Sequence, residues 1–471
     1  MAKRDPCSAV YGRGMSREFD VIVVGAGPAG EHCAGRLADG GLRVAIVERE
    51  LVGGECDYWA CIPSKTLLRP GEALQAARDA PGAREAVSGG VRPEAAFEWR
   101  DFMVANYEDG AKAAYLETQG IEVLRGHARL TGLGSVEIGE ETHSAEHVVI
   151  ATGSDPVIPP VPGLRELDGV WTNREVTGLT EVPRRLVVLG GGPVGVEMAQ
   201  AVHRMGASVA LVEGMDHVLP REPKPLGDAL GTALAADGIE LHFSEQATGV
   251  RRDGDEYVVE FAGREELRGD RLLVATGRRA RVDDLGLEAV GVEPTRQGIP
   301  VDERMRVADG LWAIGDVTGI WPLTYMGKYQ GRVVAANILG RDRTANYEAV
   351  PRVVFTDPQA ASVGDPEGPL SATVPLPEVP RLSTYSRAYA DSPGFMTLVS
   401  DGERLTGAYA LGPEAGEWLQ QATVAIRARV PLSVLFDVIQ PFPSFSEAFL
   451  ATLTELEAKT AGRTSASTAA V

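Results

Sequence analysis

Cysteine is scarce in this 471-residue chain: it occurs at positions 7, 33, 56 and 61 only. So few cysteines exclude a secreted scaffold held together by disulfides. No apolar run approaches the roughly 20 residues of a membrane-spanning helix. Basic residues are outnumbered, 46 Lys and Arg against 66 Asp and Glu, leaving a formal charge of −20. A surface of that sign excludes nucleic acid and anionic membrane as partners. Residues 1–14 carry Lys3, Arg4 and Arg13 but no apolar core, so they do not read as a secretory signal. Met15, just ahead of the first strand, is an alternative start, and the cytoplasm is the expected location.

What is abundant points to a soluble globular protein. Apolar residues make up 44%, with 55 Gly and 30 Pro for tight turns. The length exceeds one ordinary core and predicts roughly two to four domains. Phe19–Val24 is an apolar run ending in Gly25-Ala26-Gly27-Pro28-Ala29-Gly30, followed by a helical pattern to about Ala38. A second strand over 43–47 ends in Glu48. Strand, Gly-x-Gly-x-x-Gly, helix, strand, acid is the dinucleotide-binding βαβ arrangement. Its glycines let the backbone approach a pyrophosphate drawn to the helix N-terminus, and Glu48 is placed to accept from ribose hydroxyls.

A second copy follows. Arg185–Leu189 leads into Gly190-Gly191-Gly192-Pro193-Val194-Gly195, and Ser208–Glu213 ends on the acid Glu213. Two such units imply two dinucleotides. Glu213 accepts from an unphosphorylated ribose and repels a 2′-phosphate, and no arginine stands beside it, so NADH is expected over NADPH. Between the copies, 66–118 reads as helix, loop and helix, 120–131 as strands, and 148–153 as a strand running into Gly153. Pro156, Pro159, Pro160 and Pro162 then mark a linker.

The stretch Gly53-Gly54-Glu55-Cys56-Asp57-Tyr58-Trp59-Ala60-Cys61-Ile62-Pro63-Ser64-Lys65 organises the chain. In a continuous helix, residues five apart are separated by roughly 7.5 Å of rise, beyond the ~7 Å Cα limit of a disulfide. A bond between the two cysteines therefore needs Cys56 on a loop and Cys61 at a helix mouth. Gly53 and Gly54 supply backbone freedom, Pro63 suits a first helical turn, and a helix N-terminus stabilises a thiolate. Such an arrangement suits a redox couple. Cys33, inside the first predicted helix, reads as packing.

With Gly53, Gly54, Cys56, Cys61, Pro63 and Lys65 in these places, the stretch resembles the active-site segment Gly-Gly-x-Cys-x4-Cys-x-Pro-x-Lys of the FAD-dependent pyridine nucleotide–disulfide oxidoreductases. The resemblance extends over about residues 17–460. It implies an α/β fold of two Rossmann-like dinucleotide-binding domains and a C-terminal α+β dimerisation domain. The FAD-binding domain would comprise 17–155 and 275–345, the NAD(P)-binding domain 156–274 and the interface domain 346–460. Disordered tails are expected over 1–16 and 461–471. It further implies a redox-active Cys56–Cys61 disulfide reduced by NADH through FAD, a homodimer, a small-molecule electron acceptor and no metal. By the same resemblance Glu197 pairs with Lys65 near the flavin, although alone it reads as a solvated helix carboxylate. Gly153, Gly277, Gly315 and Asp316 fall at cofactor-binding positions, with Asp316 on the FAD ribitol. The 323–339 helix would line the flavin's pyrimidine edge. Beyond 346, strands are expected near 353–356, 396–399 and 405–410, and helices over 417–430 and 446–456.

The sequence departs from that family at its C-terminal acid–base group. Where relatives carry His-Pro-x-x-x-Glu, reaching across the dimer to the cysteines, this chain has Phe442-Pro443-Ser444-Phe445-Ser446-Glu447. Phenylalanine carries no proton, and none of the seven histidines lies nearby in sequence. Glu447 also fits a capping box with Ser444. Trp59 and Ala60 suggest a bulky, dry face on the disulfide, with Tyr58 on an exposed loop as the nearest proton-capable side chain. The expected activity is electron transfer to an atypical acceptor: a quinone, a metal ion or a specialised disulfide or thioether. The alternatives are a slow dihydrolipoamide dehydrogenase, a carboxylase-type branch like 2-ketopropyl-coenzyme M oxidoreductase/carboxylase, which also has phenylalanine for the histidine, and a flavin-binding redox sensor. Mercuric reductase adds a C-terminal vicinal cysteine pair that this sequence does not have.

Overall fold

A computed structural model describes the backbone of residues 18–468 and the side chains through residue 460. The chain divides into two compact units. One gathers the residues up to 54 with 108–155 and 279–345; the other gathers 55–107, 156–278 and the residues from 346 onward.

In the first unit, Phe19–Val24, Val44–Glu48 and Ile121–Arg125 are parallel neighbours, with Glu141–Ile150 and then Leu311–Ala313 on the other side of Phe19–Val24. Val21, Ile22, Val23, Ala45 and Ile46 are almost wholly buried. Continuous β-branched runs of this kind mark strands covered on both faces, as parallel strands are. The helix Pro28–Asp39 follows the first strand, with Pro28 in its first turn, where its missing N–H costs nothing. Thr324–Ile338 packs beside it. Gly331 allows that approach, because a Cβ there would lie 3.2 Å from the Ala29 carbonyl oxygen and from Cys33 Cβ.

The second unit repeats the plan. Glu240–Phe243, Ser208–Glu213, Arg185–Leu189 and Arg271–Val274 form an all-parallel sheet in that order, and Pro193–Arg204 is its first crossover helix. Residues 55–107, expected with the first dinucleotide unit, belong here. The helix Cys61–Asp79 packs on Pro193–Arg204, with Leu67 and Leu68 in one core with Met198 and Val202. At Gly71 the two helices come so close that a Cβ would lie 2.8 Å from Arg204 Cδ.

From Arg352 an antiparallel sheet runs in the order Arg352–Val354, Gln359–Gly364, Leu405–Gly412, Phe395–Ser400, Leu370–Pro375. Leu370, Ala372 and Val374 point inward and alternate with exposed neighbours, the period of a half-covered strand. The final helix covers them. Expected over 446–456, it runs from Ser446 to Thr468, through most of the stretch expected as an irregular tail. The helix expected over 417–430 is split into Ala415–Trp418 and Gln420–Arg427. The expected tail over 1–16 lies outside the described residues, as do 469–471. Among the described residues, no helix is long and apolar enough to cross a membrane.

Candidate active site

Both glycine turns are built alike. In the first unit Gly25 has φ +108°, and a Cβ there would lie 2.4 Å from the Ala151 carbonyl oxygen. A Cβ on Gly30 would lie 1.9 Å from the Gly25 carbonyl, whereas Gly27 faces open space at the helix N-terminus. That combination, tight behind and open in front, fits a dinucleotide pyrophosphate. Glu48 accepts from the Ala26 N–H at 2.9 Å and the Glu50 N–H at 2.8 Å. The carboxylate thus braces the turn. Gly54 closes over the turn, its would-be Cβ 2.9 Å from Gly27 Cα.

The remaining sequence-predicted residues of this unit gather at the same end of the sheet. Gly153 has φ +77° and its carbonyl accepts from the Arg281 N–H at 3.0 Å. Gly315 opens a short 3-10 turn and donates its N–H to Gln330 Oε1 at 2.6 Å. Asp316, next in line, accepts from Ser154 Oγ at 2.6 Å. Arg281 grips Asp155 at 2.9 Å; burial alone would raise that carboxyl, but the guanidinium holds it below the usual carboxylate range.

In the second unit a Cβ on Gly190 would lie 2.5 Å from the Ala275 carbonyl and one on Gly195 1.9 Å from the Gly190 carbonyl, with Gly192 open. Glu213, buried, accepts from the Gly191 N–H at 2.7 Å and the Met215 N–H at 2.8 Å. Gly277 has φ +133°, and its carbonyl accepts from the Val157 N–H at 3.0 Å.

The cysteines sit where two helical segments meet. Cys61 is the first residue of the helix Cys61–Asp79, at its mouth as expected. Cys56 differs from expectation: it lies in a single helical turn, Gly54–Tyr58, and not on a loop. The required interruption is supplied at Ala60, whose φ −138° and ψ −97° are far from helical. The two thiols are thus not spaced by a continuous helix, and both are half-buried. Tyr58, expected on an exposed loop, is 3% exposed, packed near Trp59 and Tyr107.

One turn into the same helix, Lys65 Nζ donates to Glu197 Oε2 at 2.7 Å. Glu197 is buried, not the solvated carboxylate its sequence position alone suggests. Its other oxygen accepts from the Phe355 N–H at 2.9 Å, and the Phe355 ring centroid lies 4.8 Å from the ammonium. This fixes a cation one turn from Cys61 at a defined place.

Phe442 lies just ahead of the last helix and Glu447 in its first turn. Phe442 is 74% exposed. Glu447 accepts from the Ser444 N–H at 3.2 Å, while Ser444 Oγ donates to the Pro441 carbonyl. Half of the expected capping box is therefore formed.

Several residues at the site had no sequence signal: Phe355, and a group around Glu55 made of Asn173, Arg174 and Arg278. They lie more than a hundred positions from their partners, and no motif spans such a gap.

Comparison with known proteins accords with this geometry. Residues 19–335 match the family described as pyridine nucleotide-disulphide oxidoreductase, and 350–453 match its dimerisation domain. A dihydrolipoyl dehydrogenase of Thermus scotoductus is 35% identical over 92% of this chain and 96% of its own length. A mercuric reductase of Acidithiobacillus ferrooxidans is 34% identical over 92% of this chain and 81% of its own. Among solved structures, the Cu(II) complex of the HOCl-induced flavoprotein disulfide reductase RclA from Escherichia coli superposes with a TM-score of 0.82 and 26% identity, over 94% of this chain and all of that one.

Proposed function

The chain belongs to the pyridine nucleotide–disulphide oxidoreductases, FAD-dependent enzymes that use a pyridine nucleotide, and from that membership we propose its reaction. Electrons enter from NADH at the second glycine turn, open a Cys56–Cys61 disulfide and leave to an acceptor that asks little proton transfer of the protein. Bound FAD would supply the two-electron relay between nicotinamide and sulfur. The FAD would be held by Gly25, Gly27, Gly30, Glu48, Gly54, Gly153, Gly315 and Asp316, and the nicotinamide dinucleotide by Gly190, Gly192, Gly195, Glu213 and Gly277.

The observation that carries this reading is the assembly of Cys61 at a helix mouth with Lys65 clamped to buried Glu197 one turn later. The helix terminus favours the thiolate of Cys61. The Lys65 ammonium, fixed by Glu197, offers a preorganised positive charge to negative charge that develops during reduction. Cys56 is then the outer nucleophile. Glu213, held by two backbone N–H groups, keeps its remaining lone pairs for ribose hydroxyls and its charge against a 2′-phosphate, which favours NADH. We place the homodimer contact in the 346–460 domain and the reaction in the cytoplasm, where thiols stay reduced.

The acceptor is set by a side chain that cannot act. Phe442 stands where relatives hold the imidazole that exchanges the outer thiol's proton, and general acid–base help of that kind is worth ~10²–10⁴-fold. Quinones, metal ions and specialised disulfides or thioethers are the proposed acceptor classes. A second reading, a slow dihydrolipoyl dehydrogenase, is favoured by the 35% identity to an enzyme of that name. The two are separated by steady-state assay with lipoamide and glutathione disulfide. Phe442→His is expected to raise kcat/KM for these disulfides at least about tenfold. Fast lipoamide turnover by the natural protein, unchanged in the variant, would overturn the first reading in favour of the second.

A further inference from the structure

The turn that presents Cys56 is too short to hold itself. Five residues close barely one helical ring, and nucleating such a turn is unfavourable in isolation. It is gripped by one short helix, Asn173–Thr177. Glu55 and Trp59 are four apart and share a face of the turn, the Trp59 N–H donating to the Glu55 carbonyl at 2.8 Å. Arg174 spans both: its Nε and Nη2 donate to Glu55 Oε1 at 2.8 and 2.5 Å, and its guanidinium lies over the Trp59 ring, 4.0 Å from the centroid. Asn173 Nδ2 bridges Glu55 Oε2 and the Trp59 carbonyl, both at 2.9 Å. Arg278 donates to Asn173 Oδ1 at 3.0 Å and to Glu55 Oε2 at 3.4 Å.

The gripping helix is itself fixed at both ends. A capping box between Thr172 and Glu175 closes its start. At its end the guanidinium of Arg100, 1% exposed, donates to the Thr177 carbonyl and, at 3.0 Å, to that of Leu179. A loose surface arginine would contribute little. This one is a forked, stacked contact anchored in a rigid frame, where a guanidinium is hard to replace.

We infer that Arg174 is a positioning residue for the outer cysteine: by binding Glu55 and Trp59 together it holds the turn in the geometry from which Cys56 reaches Cys61. The inference rests on the redox reading of that pair. A disulfide tolerates only a narrow range of Cα separation, so a turn free to fray lowers the effective concentration of one thiol for the other. The quantity that reports this is the exchange of protein dithiol with glutathione disulfide. One S–S bond forms in the protein as one breaks in glutathione, two electrons pass from the protein sulfurs, and their two protons end on two molecules of reduced glutathione.

The FAD-loaded protein is equilibrated over a range of reduced-to-oxidised glutathione ratios and quenched by alkylation. Mass spectrometry of the peptides holding Cys56 and Cys61 then gives the equilibrium constant. Arg174→Gln and Glu55→Gln are each expected to lower it at least about tenfold, which is about 30 mV for a two-electron couple. The double variant should lose less than the two single losses combined, because both remove the Arg174–Glu55 contact they share. Arg174→Lys, a charge without the fork, should fall between. Constants within about twofold of the natural protein in both single variants, or losses that add in the double, would overturn the inference. Flavin content and melting midpoint report folding; should Arg174→Gln fail to fold, Glu55→Gln and Arg174→Lys make the same comparison. Failure of the redox reading itself would look different: the natural protein would form no Cys56–Cys61 disulfide at any ratio.

Discussion

At the scale of residues, the same thiol group meets different surroundings at two places in the chain. Cys33, in the helix Pro28–Asp39, is fully buried, and burial pushes its thiol up to about 12. Cys61 opens a helix and is half-buried, where the backbone favours a thiolate. At pH 8 Cys33 therefore stays protonated, and the thiolate is the reactive form. Iodoacetamide treatment of the folded, reduced protein at that pH is therefore expected to modify Cys56 and Cys61 and leave Cys33 untouched. Peptide mapping checks it, and Cys33 labelling at a comparable rate would contradict the burial argument. Cys33 was legible as packing from its place inside the first predicted helix. Glu197 was legible only through family resemblance; by position alone a helix carboxylate reads as solvated. The structure shows why it is not, because the cysteine helix and the Phe355 backbone close over it. Tyr58 was misplaced for a related reason: the cysteine spacing called for a loop, but the segment is a helical turn whose tyrosine ring lies inward against Tyr107.

At the scale of elements, both strand–glycine–helix units were readable to within a residue or so, because their signals are local. Phe19–Val24, Arg185–Leu189 and Ser208–Glu213 are observed where their apolar runs lie. The Gly25 and Gly190 turns need φ values above +100°, which only glycine adopts freely. The helical form of the Cys56 turn was not readable. Its conformation depends on Asn173 and Arg174, more than a hundred residues away. The element account predicts a specific failure. In Gly195→Ala the new methyl would lie 1.9 Å from the Gly190 carbonyl carbon's oxygen, a collision with backbone that cannot swing aside. The turn must open, and kcat/KM for NADH is expected to fall at least about a hundredfold, the scale on which an ångström of misplacement costs rate. Flavin content should be retained, since Gly195 belongs to the second unit only. Unchanged NADH kinetics, measured by stopped-flow absorbance, would remove the second glycine turn from dinucleotide binding.

For the whole molecule, family membership covers nearly all of the chain, and its domain types were legible because each glycine motif carries its own strands. The grouping of 55–107 with the second unit was not legible. It follows from the cysteine helix packing on Pro193–Arg204, with Leu67, Leu68, Met198 and Val202 in one core and Gly71 against Arg204. Helix-on-helix packing of this kind leaves no pattern in the sequence beyond amphipathicity. In the proposed reaction the acceptor is the remaining choice, and it turns on Phe442, 74% exposed just ahead of the last helix. The central claim is that NADH electrons end on Cys56 and Cys61, and anaerobic titration of the FAD-loaded protein with NADH tests it most directly. The account predicts uptake of roughly two equivalents per subunit, one for the flavin and one for the disulfide, with two thiols newly open to alkylation and the second equivalent lost in Cys61→Ser. Saturation at about one equivalent with no new thiol would contradict it.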